Sequence, residues 1–268
     1  MDFVSGISSG FVEIHRDRAF GDDFAVACGM ARLEVEQVMV LFTRRGQSLK
    51  ERTKSNFGMP NPEGYSKALR CMKLAEKFGR PIICIIDVLA AYPGTSSKER
   101  GQAEAIARNL REMSRLRVPT ISVITGQDGS GEALALALAL ALALALALAL
   151  ALALAVADRV LMLENAVYFV APQEFAASLM WKDPSQKHLA ADALEIMSHQ
   201  VGAVDCLVEI VPEPPGGAHV DPGTAIHFVT TAIAIRKHLA EVRQISIDLL
   251  LTDRKRKFRN IGQCHSEV

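Results

Sequence analysis

The chain has 268 residues, half of them hydrophobic, which fits one large or two small domains with a sizeable core. Lys plus Arg total 30 and Asp plus Glu total 30, so no global field draws the protein to nucleic acid or anionic lipid. Five scattered cysteines (Cys28, Cys71, Cys84, Cys206, Cys264) contain no Cys-x-x-Cys pair. They exclude a zinc-finger pattern and a disulfide framework, and predict free thiols packed as small hydrophobes in a reducing compartment.

The first basic residue is Arg16 and no apolar stretch follows a basic start, which predicts neither a secretory signal nor a transit peptide. Two apolar runs, Ala25 to Leu33 and Val38 to Thr43, flank Glu34, Val35 and Glu36 and predict a β-hairpin. Arg44, Arg45 and Gly46 follow. A basic segment through Lys50, Arg52 and Lys54 to Asn56 reads as a loop.

Pro60 and Pro62 introduce a helix whose stripe is Ala68, Cys71, Met72 and Ala75, extended by Phe78, with Lys67, Arg70, Lys73 and Lys77 facing water. Gly79 and Pro81 stop it, and Ile82 to Ile86 has the composition of a buried parallel strand ended by Asp87. Asp87 is read as a loop cap or, being at a strand's C-terminal edge, as a site residue. Ser96 and Glu99 have capping-box spacing before a long helix with the stripe Ala103, Ile106, Ala107, Leu110 and Met113. On its outer face Glu104 with Arg108, and Arg108 with Glu112, are i,i+4 pairs. Pro119 opens a second buried strand, Thr120 to Ile124. Strand, helix, strand, helix in this order predicts parallel pairing through right-handed crossovers.

Residues 126 to 132 read Gly-Gln-Asp-Gly-Ser-Gly-Glu. A Gly-rich turn opening a helix aims backbone N–H groups at an anion or a developing oxyanion. Ala and Leu then alternate for 23 residues, Ala133 to Ala155. The alternation would suit a strand, but strands rarely exceed about 10 residues, and Ala and Leu are the strongest helix formers. A helix of this length spans roughly 34 Å, close to a bilayer core of roughly 30 Å. Two readings stand, an ordinary core helix lengthened by repeat expansion and a membrane-associated helix.

Beyond it, Arg159 to Leu163 and Ala166 to Val170 read as strands, Gln173 to Trp181 and Pro184 to Ser198 as helices, and Cys206 to Val211 as a last strand. Pro222 to Leu239 reads as a C-terminal helix. The cluster Arg254, Lys255, Arg256, Lys257 and Arg259 reads as a solvated tail, with phosphate contact as the alternative. His219 reads as a turn residue. His15, His188, His199, His227, His238 and His265 lack metal-ligand spacing, and no metal site is expected. Residues 1–221 are taken as the main domain and 222–268 as a C-terminal helix and basic tail.

Several blocks then carry a resemblance: Asn56-Phe-Gly-Met-Pro60, Pro62-Glu-Gly-Tyr65, Glu99-Arg-Gly-Gln102, Glu104 to Met113, Arg159 to Asn165, Pro212-Glu-Pro214 and Gly216-Gly-Ala-His219. From about Phe11 to about Pro222 the chain resembles the carboxyltransferase α subunit of multi-subunit acetyl-CoA carboxylase, the bacterial and plastid type. The resemblance implies an α/β, crotonase-like spiral of ββα units. It implies an α₂β₂ assembly with a zinc-ribbon β subunit that holds acetyl-CoA, and carboxybiotin presented on a biotin carboxyl carrier protein. The product would be malonyl-CoA, the first committed step of fatty-acid synthesis, in bacterial cytoplasm or plastid stroma, with membrane association the minority reading.

Carried onto this sequence, the amides of Gly131 and Glu132 would donate to the biotin ureido oxygen, Gly129 and Ser130 would shape the turn, and Ala90, Ala91 and Gly94 would line the neighbouring loop. Arg45 would supply a cation where the family has Gln-Lys-Gly. The family usually reads Gly-Glu-Gly-Gly-Ser-Gly-Gly, so Gln127, Asp128 and Glu132 depart from it, and Asp87 to Gly94 departs from Asp-Thr-Pro-Gly-Ala-Tyr-Pro-Gly. A longer N-terminal helical arm usual in the family is missing. Glu132 and Asp158 enclose 25 residues, about 18 more than the family's spacing, or roughly five helical turns. Either the added turns protrude, or the strands downstream fail to dock. The alternative function is an assembly module with an impaired site.

Overall fold

Ile82–Ile86 and Thr120–Ile124 are buried at every position, which requires cover on both faces and places them in the middle of a sheet. In the computed structural model of the protein, residues 2–87, 91–126, 156–167, 173–194, 197–203, 207–214 and 226–260 are described. Their strands β1 (Ser9–Glu13), β2 (Val26–Leu33), β3 (Glu36–Thr43), β4 (Ile82–Ile86), β5 (Thr120–Ile124), β6 (Arg159–Leu163) and β7 (Glu209–Val211) form one sheet in chain order. β1, β2 and β3 pair antiparallel; β3 through β7 run parallel. The predicted hairpin is β2 and β3, joined by a tight turn in which Glu34 takes a left-handed φ of 57°.

Downstream docking is settled by register: Ile121 faces Arg159 and Ile124 faces Met162. The connection leaves the C-terminal end of β5 and returns to the N-terminal end of β6, the parallel crossover expected from the order of elements. The Ala/Leu run itself lies outside the described residues. Among the described residues no helix is long and apolar enough to cross a membrane.

The helices are α1 (Asp2–Ile7), α2 (Leu49–Lys54), α3 (Pro62–Lys77), α4 (Thr95–Glu99), α5 (Gln102–Met113), α6 (Gln173–Trp181), α7 (Lys187–Leu194), α8 (Ser198–Ala203), α9 (Ile226–Arg243) and α10 (Ile247–Asn260). α3 packs on β2, β3 and α5, while α9 packs on α1, β5 and β7. Ala234, Ile235 and Leu239 of α9 belong to the same buried cluster as the central strands. Gln173–Trp181 forms as predicted. Pro184 opens a short 3-10 turn leading into α7 rather than one helix through Ser198. The basic loop after Gly46 contains α2, because Ser48 and Glu51 close a reciprocal capping box.

Four side-chain expectations are corrected. Phe78 does not extend the buried stripe: it is the C-cap of α3 and is exposed. Lys67 is 1% exposed and does not face water. Its ammonium donates to Asp22 Oδ1 at 2.6 Å and to the Asp23 carbonyl at 2.7 Å, so a partner 45 residues upstream makes burial affordable. The long helix breaks at Gly101, whose φ of 82° separates α4 from α5, leaving Ser96 exposed inside α4. The stripe of α5 is also rotated: Ala103 and Ala107 are exposed while Gln102, Ala105, Ile106, Asn109 and Met113 are buried. Asn109 donates to the Tyr65 and Ala105 carbonyls, which satisfies its amide inside the core. Glu112 bonds Lys73 of α3.

Among the described residues Cys28, Cys71 and Cys84 are buried and unbridged, and burial, partly offset by a bond with Ser122, pushes the Cys84 thiol up to about 12; Cys206 and Cys264 lie outside the described residues. For Asp22, burial alone would raise the carboxyl, but bonds from Lys67, the Arg16 backbone and His15 outweigh it and hold it at about 2 against an ordinary 3.8. A depressed folded value means that this contribution to stability is complete above pH about 4 and is lost as pH falls toward 2. We expect Asp22→Asn to flatten the acid limb of stability between pH 4 and 2 in urea titrations. The difference is at most about 2 kcal/mol, less after solvent screening. An unchanged slope would exclude the Asp22–Lys67 pair as its source.

Candidate active site

Parallel sheets gather ligands outside the carboxyl ends of their strands. Here the ends of β3, β4 and β5 lie side by side, followed by Arg44 and Arg45, by Asp87, and by Thr125 and Gly126. Thr43 stitches the first two: its hydroxyl donates to the Asp87 carbonyl at 2.8 Å and accepts the Asp87 N–H at 2.7 Å. The Thr125 N–H donates to the Ile86 carbonyl at 2.9 Å, and the Gly126 carbonyl accepts from the Val167 N–H at 3.3 Å. The start of the Gly-rich segment is thus fixed against β4 on one side and residue 167 on the other.

Arg45 is held at three points. Its Nη1 lies 3.6 Å from Asp87 Oδ1, its carbonyl accepts the Ser55 hydroxyl at 2.9 Å, and its stem fills the space in front of Gly58. A Cβ at Gly58 would stand 2.5 Å from Arg45 Cγ, and Gly58 has a φ of 81°, so glycine is required there twice over. Asp87 is pressed from the other side by Gly126, where a Cβ would come within 3.2 Å of Oδ1. Burial raises the Asp87 carboxyl above the ordinary range, and the Arg45 charge pulls it partly back. Its side chain is 35% exposed, so it is only partly buried.

Ala91 is buried and Gly94 caps α4; a Cβ on Gly94 would strike the Tyr92 ring at 2.4 Å. This loop is tied to the segment after Gly58: the Tyr92 N–H and the Gln102 amide both donate to the Pro60 carbonyl, at 3.0 and 2.7 Å. Glu99-Arg100-Gly101-Gln102 is not a single helical turn, because left-handed Gly101 separates α4 from α5. It is a joint, in which Arg100 bonds Glu63 at 2.6 Å and Gln102 holds Pro60. Of the residues expected in the site, Arg45, Ala91 and Gly94 fall on this framework. Ala90, Gly129, Ser130, Gly131 and Glu132 lie outside the described residues, as does His219.

Sequence reasoning missed Asp22, Asp23 and Lys67, which brace the start of α3; Asp23 accepts from the Ala25 and Asn61 N–H groups. A signal for Lys67 existed, since it stands four residues before buried Cys71 on the same helical stripe. Among the described residues no group of three or more His, Cys, Asp or Glu is placed to hold a metal ion.

Solved structures share this architecture. A Pseudomonas malonate decarboxylase hetero-tetramer superposes with a TM-score of 0.67 over 94% of this chain and 90% of that one, at 16% identity. Transcarboxylase 12S does so with a TM-score of 0.59 over 87% of this chain and 40% of that one, at 17% identity. The chain thus has the crotonase-like fold of the carboxyltransferases. Sequence narrows this further. The profile described as acetyl co-enzyme A carboxylase carboxyltransferase-like matches residues 1–147 and 149–262, the break falling inside the Ala/Leu run. The acetyl-coenzyme A carboxylase carboxyl transferase subunit alpha of Geobacter metallireducens is 46% identical over 98% of this chain and 76% of its own length. That of Thermus thermophilus is 43% identical over 98% and 78%. The chain belongs to the acetyl-CoA carboxylase carboxyltransferase α-subunit family and is a carboxyl-transferring enzyme subunit, which implies a partner subunit.

Proposed function

We propose that this chain supplies the carboxybiotin half of malonyl-CoA formation, working with a zinc-ribbon β subunit that holds acetyl-CoA in an α₂β₂ assembly. The observation that carries this reading is that Gly126, at the start of the Gly-rich segment, packs against Asp87, which in turn meets Arg45. The residues fit the substrate: Gly126 packs so closely on Asp87 that a Cβ would crowd its carboxylate, and a seated cation suits a carboxylate. Carboxybiotin on its carrier protein supplies the carboxyl group, and negative charge collects on its ureido oxygen as the N–C bond breaks. In this reading the Gly131 and Glu132 amides donate to that oxygen. Gly129 and Ser130 would shape the turn, Ala90, Ala91 and Gly94 would line the neighbouring loop, and Arg45 would supply a cation. Residues 1–221 are the carboxyltransferase domain in this reading, and 222–268 the C-terminal segment. Bacterial cytoplasm or plastid stroma is the compartment this reading implies.

Co-expression with a cognate β subunit tests it. Malonyl-CoA should form from acetyl-CoA and carboxylated carrier at stoichiometric assembly. Assembly without product would leave only a binding module, with Asp128 and Glu132 as the groups spoiling the donor pair.

A further inference from the structure

Tyr65 of α3 is 1% exposed, and its hydroxyl finds no hydrogen-bond partner among the described residues. Burial first, and the Asp23 charge after it, push the phenol well above its ordinary value, so the group keeps its proton. A buried O–H without an acceptor keeps its desolvation penalty, and native cores hold few of them. The side chain lines a cavity of about 20 Å³ between α3, α5 and the sheet, walled by Leu41, Ile85 and Met113. Roughly 10 to 15 Å³ is room for one water molecule, provided that two to four polar groups meet it. Two more polar side chains line the same space. Asn109 of α5 is 3% exposed and uses its amide hydrogens on the Tyr65 and Ala105 carbonyls, which leaves its Oδ1 to accept. Thr43, at the end of β3, donates to the Asp87 carbonyl and accepts the Asp87 N–H; a hydroxyl oxygen has two lone pairs, so one is left for a further donor.

We infer that this cavity is a binding site for one water molecule, which accepts from the Tyr65 hydroxyl and donates to Asn109 Oδ1 and Thr43 Oγ1. The three side chains offer one donor and two acceptors, and water answers both in so small a volume. The bridge joins α3 and α5 to the strand end at which Thr43 sets the Asp87 main chain. It holds whichever chemistry those strand ends perform, so it does not rest on the carboxyl-transfer reading.

A crystal structure of the full chain tests this directly. An ordered oxygen should lie about 2.5 to 3.0 Å from each of Tyr65 Oη, Asn109 Oδ1 and Thr43 Oγ1. Tyr65→Phe removes only the hydroxyl; it should lose that oxygen and raise the unfolding equilibrium constant in urea about 2- to 12-fold, the range for one hydrogen bond. Thr43→Val should cost more, since the bonds to Asp87 go with it. Combined, the two changes should cost less than their sum, because both act through one molecule, whereas hydroxyls that share nothing would add. A Tyr65→Phe chain as stable as the wild type, or more stable, would overturn the inference, since a bare buried hydroxyl is better replaced by hydrogen. So would additive changes, or a wild-type cavity that holds no ordered oxygen.

Discussion

Replacing Arg254 with methionine should cost about 3 to 5 kcal/mol of stability, the largest loss expected from any single change in the C-terminal helices. The residue lies in the basic cluster that sequence reasoning assigned to a solvated tail, yet its side chain is 1% exposed. Its Nε and Nη2 donate to the two oxygens of Asp158, each at 2.8 Å. Nη1 donates to the Met113 and Leu116 carbonyls at 2.9 Å, and Nη2 also reaches the Val118 carbonyl at 3.2 Å. Asp158 additionally accepts the Thr120 N–H at 2.8 Å. One guanidinium therefore closes the end of α5, the start of β5 and the residue before β6 onto α10. Methionine fills the volume but leaves a buried carboxylate with one neutral donor and the Leu116 carbonyl without its donor, while the Met113 and Val118 carbonyls keep only the Leu116 N–H and the Thr120 hydroxyl, and each group left unpaired keeps its desolvation penalty. Lysine should rescue little, because a point charge cannot serve a bidentate carboxylate and three carbonyls at once. Urea denaturation of Arg254→Met, Asp158→Leu and the double variant measures the effect. The double variant should lose less than the two singles combined, since it removes the unpaired charge. A loss below about 1 kcal/mol in Arg254→Met would mean that α10 is not held through this pair.

The same pair shows where sequence reading stops. β4 and β5 were legible because each is an apolar run opened by a proline, and a run of that composition has few other places to go. The hairpin and α6 were legible for similarly local reasons. Lys67 and Arg254 were not, because a charge reads as solvent-facing until its partner is known, and the partners stand 45 and 96 residues away. Gln102 and Asn109 look like a polar helix face for the same reason; only the Pro60 and Tyr65 carbonyls bring them inside. The break at Gly101 was written as one glycine in a strong helical pattern, where a glycine is as often tolerated as decisive. In the site, Arg45, Ala91 and Gly94 came from the resemblance. What made Arg45 a fixed cation was visible only in space, through Gly58 and Asp87.

The second large effect is expected at the Gly-rich segment. Proline at Gly131 deletes one N–H donor, and if that amide faces the developing oxyanion, kcat should fall about 10²- to 10³-fold, or about 3 to 4 kcal/mol of barrier. KM should change little, because the lost interaction strengthens only as charge develops. Alanine at the same position keeps the N–H and adds a Cβ, so it separates loss of the donor from crowding of the turn. Thermal unfolding of both variants, set against the wild type, separates either from a disturbed fold. Glu132→Gly should act in the opposite direction: it keeps the amide and removes a carboxylate that opposes the anion, so kcat should rise. Gly131→Pro working at the wild-type rate within an intact assembly would move the oxyanion donors elsewhere. A fall for Gly131→Pro together with a rise for Glu132→Gly would place the chemistry on the main chain, with the Glu132 side chain as its brake.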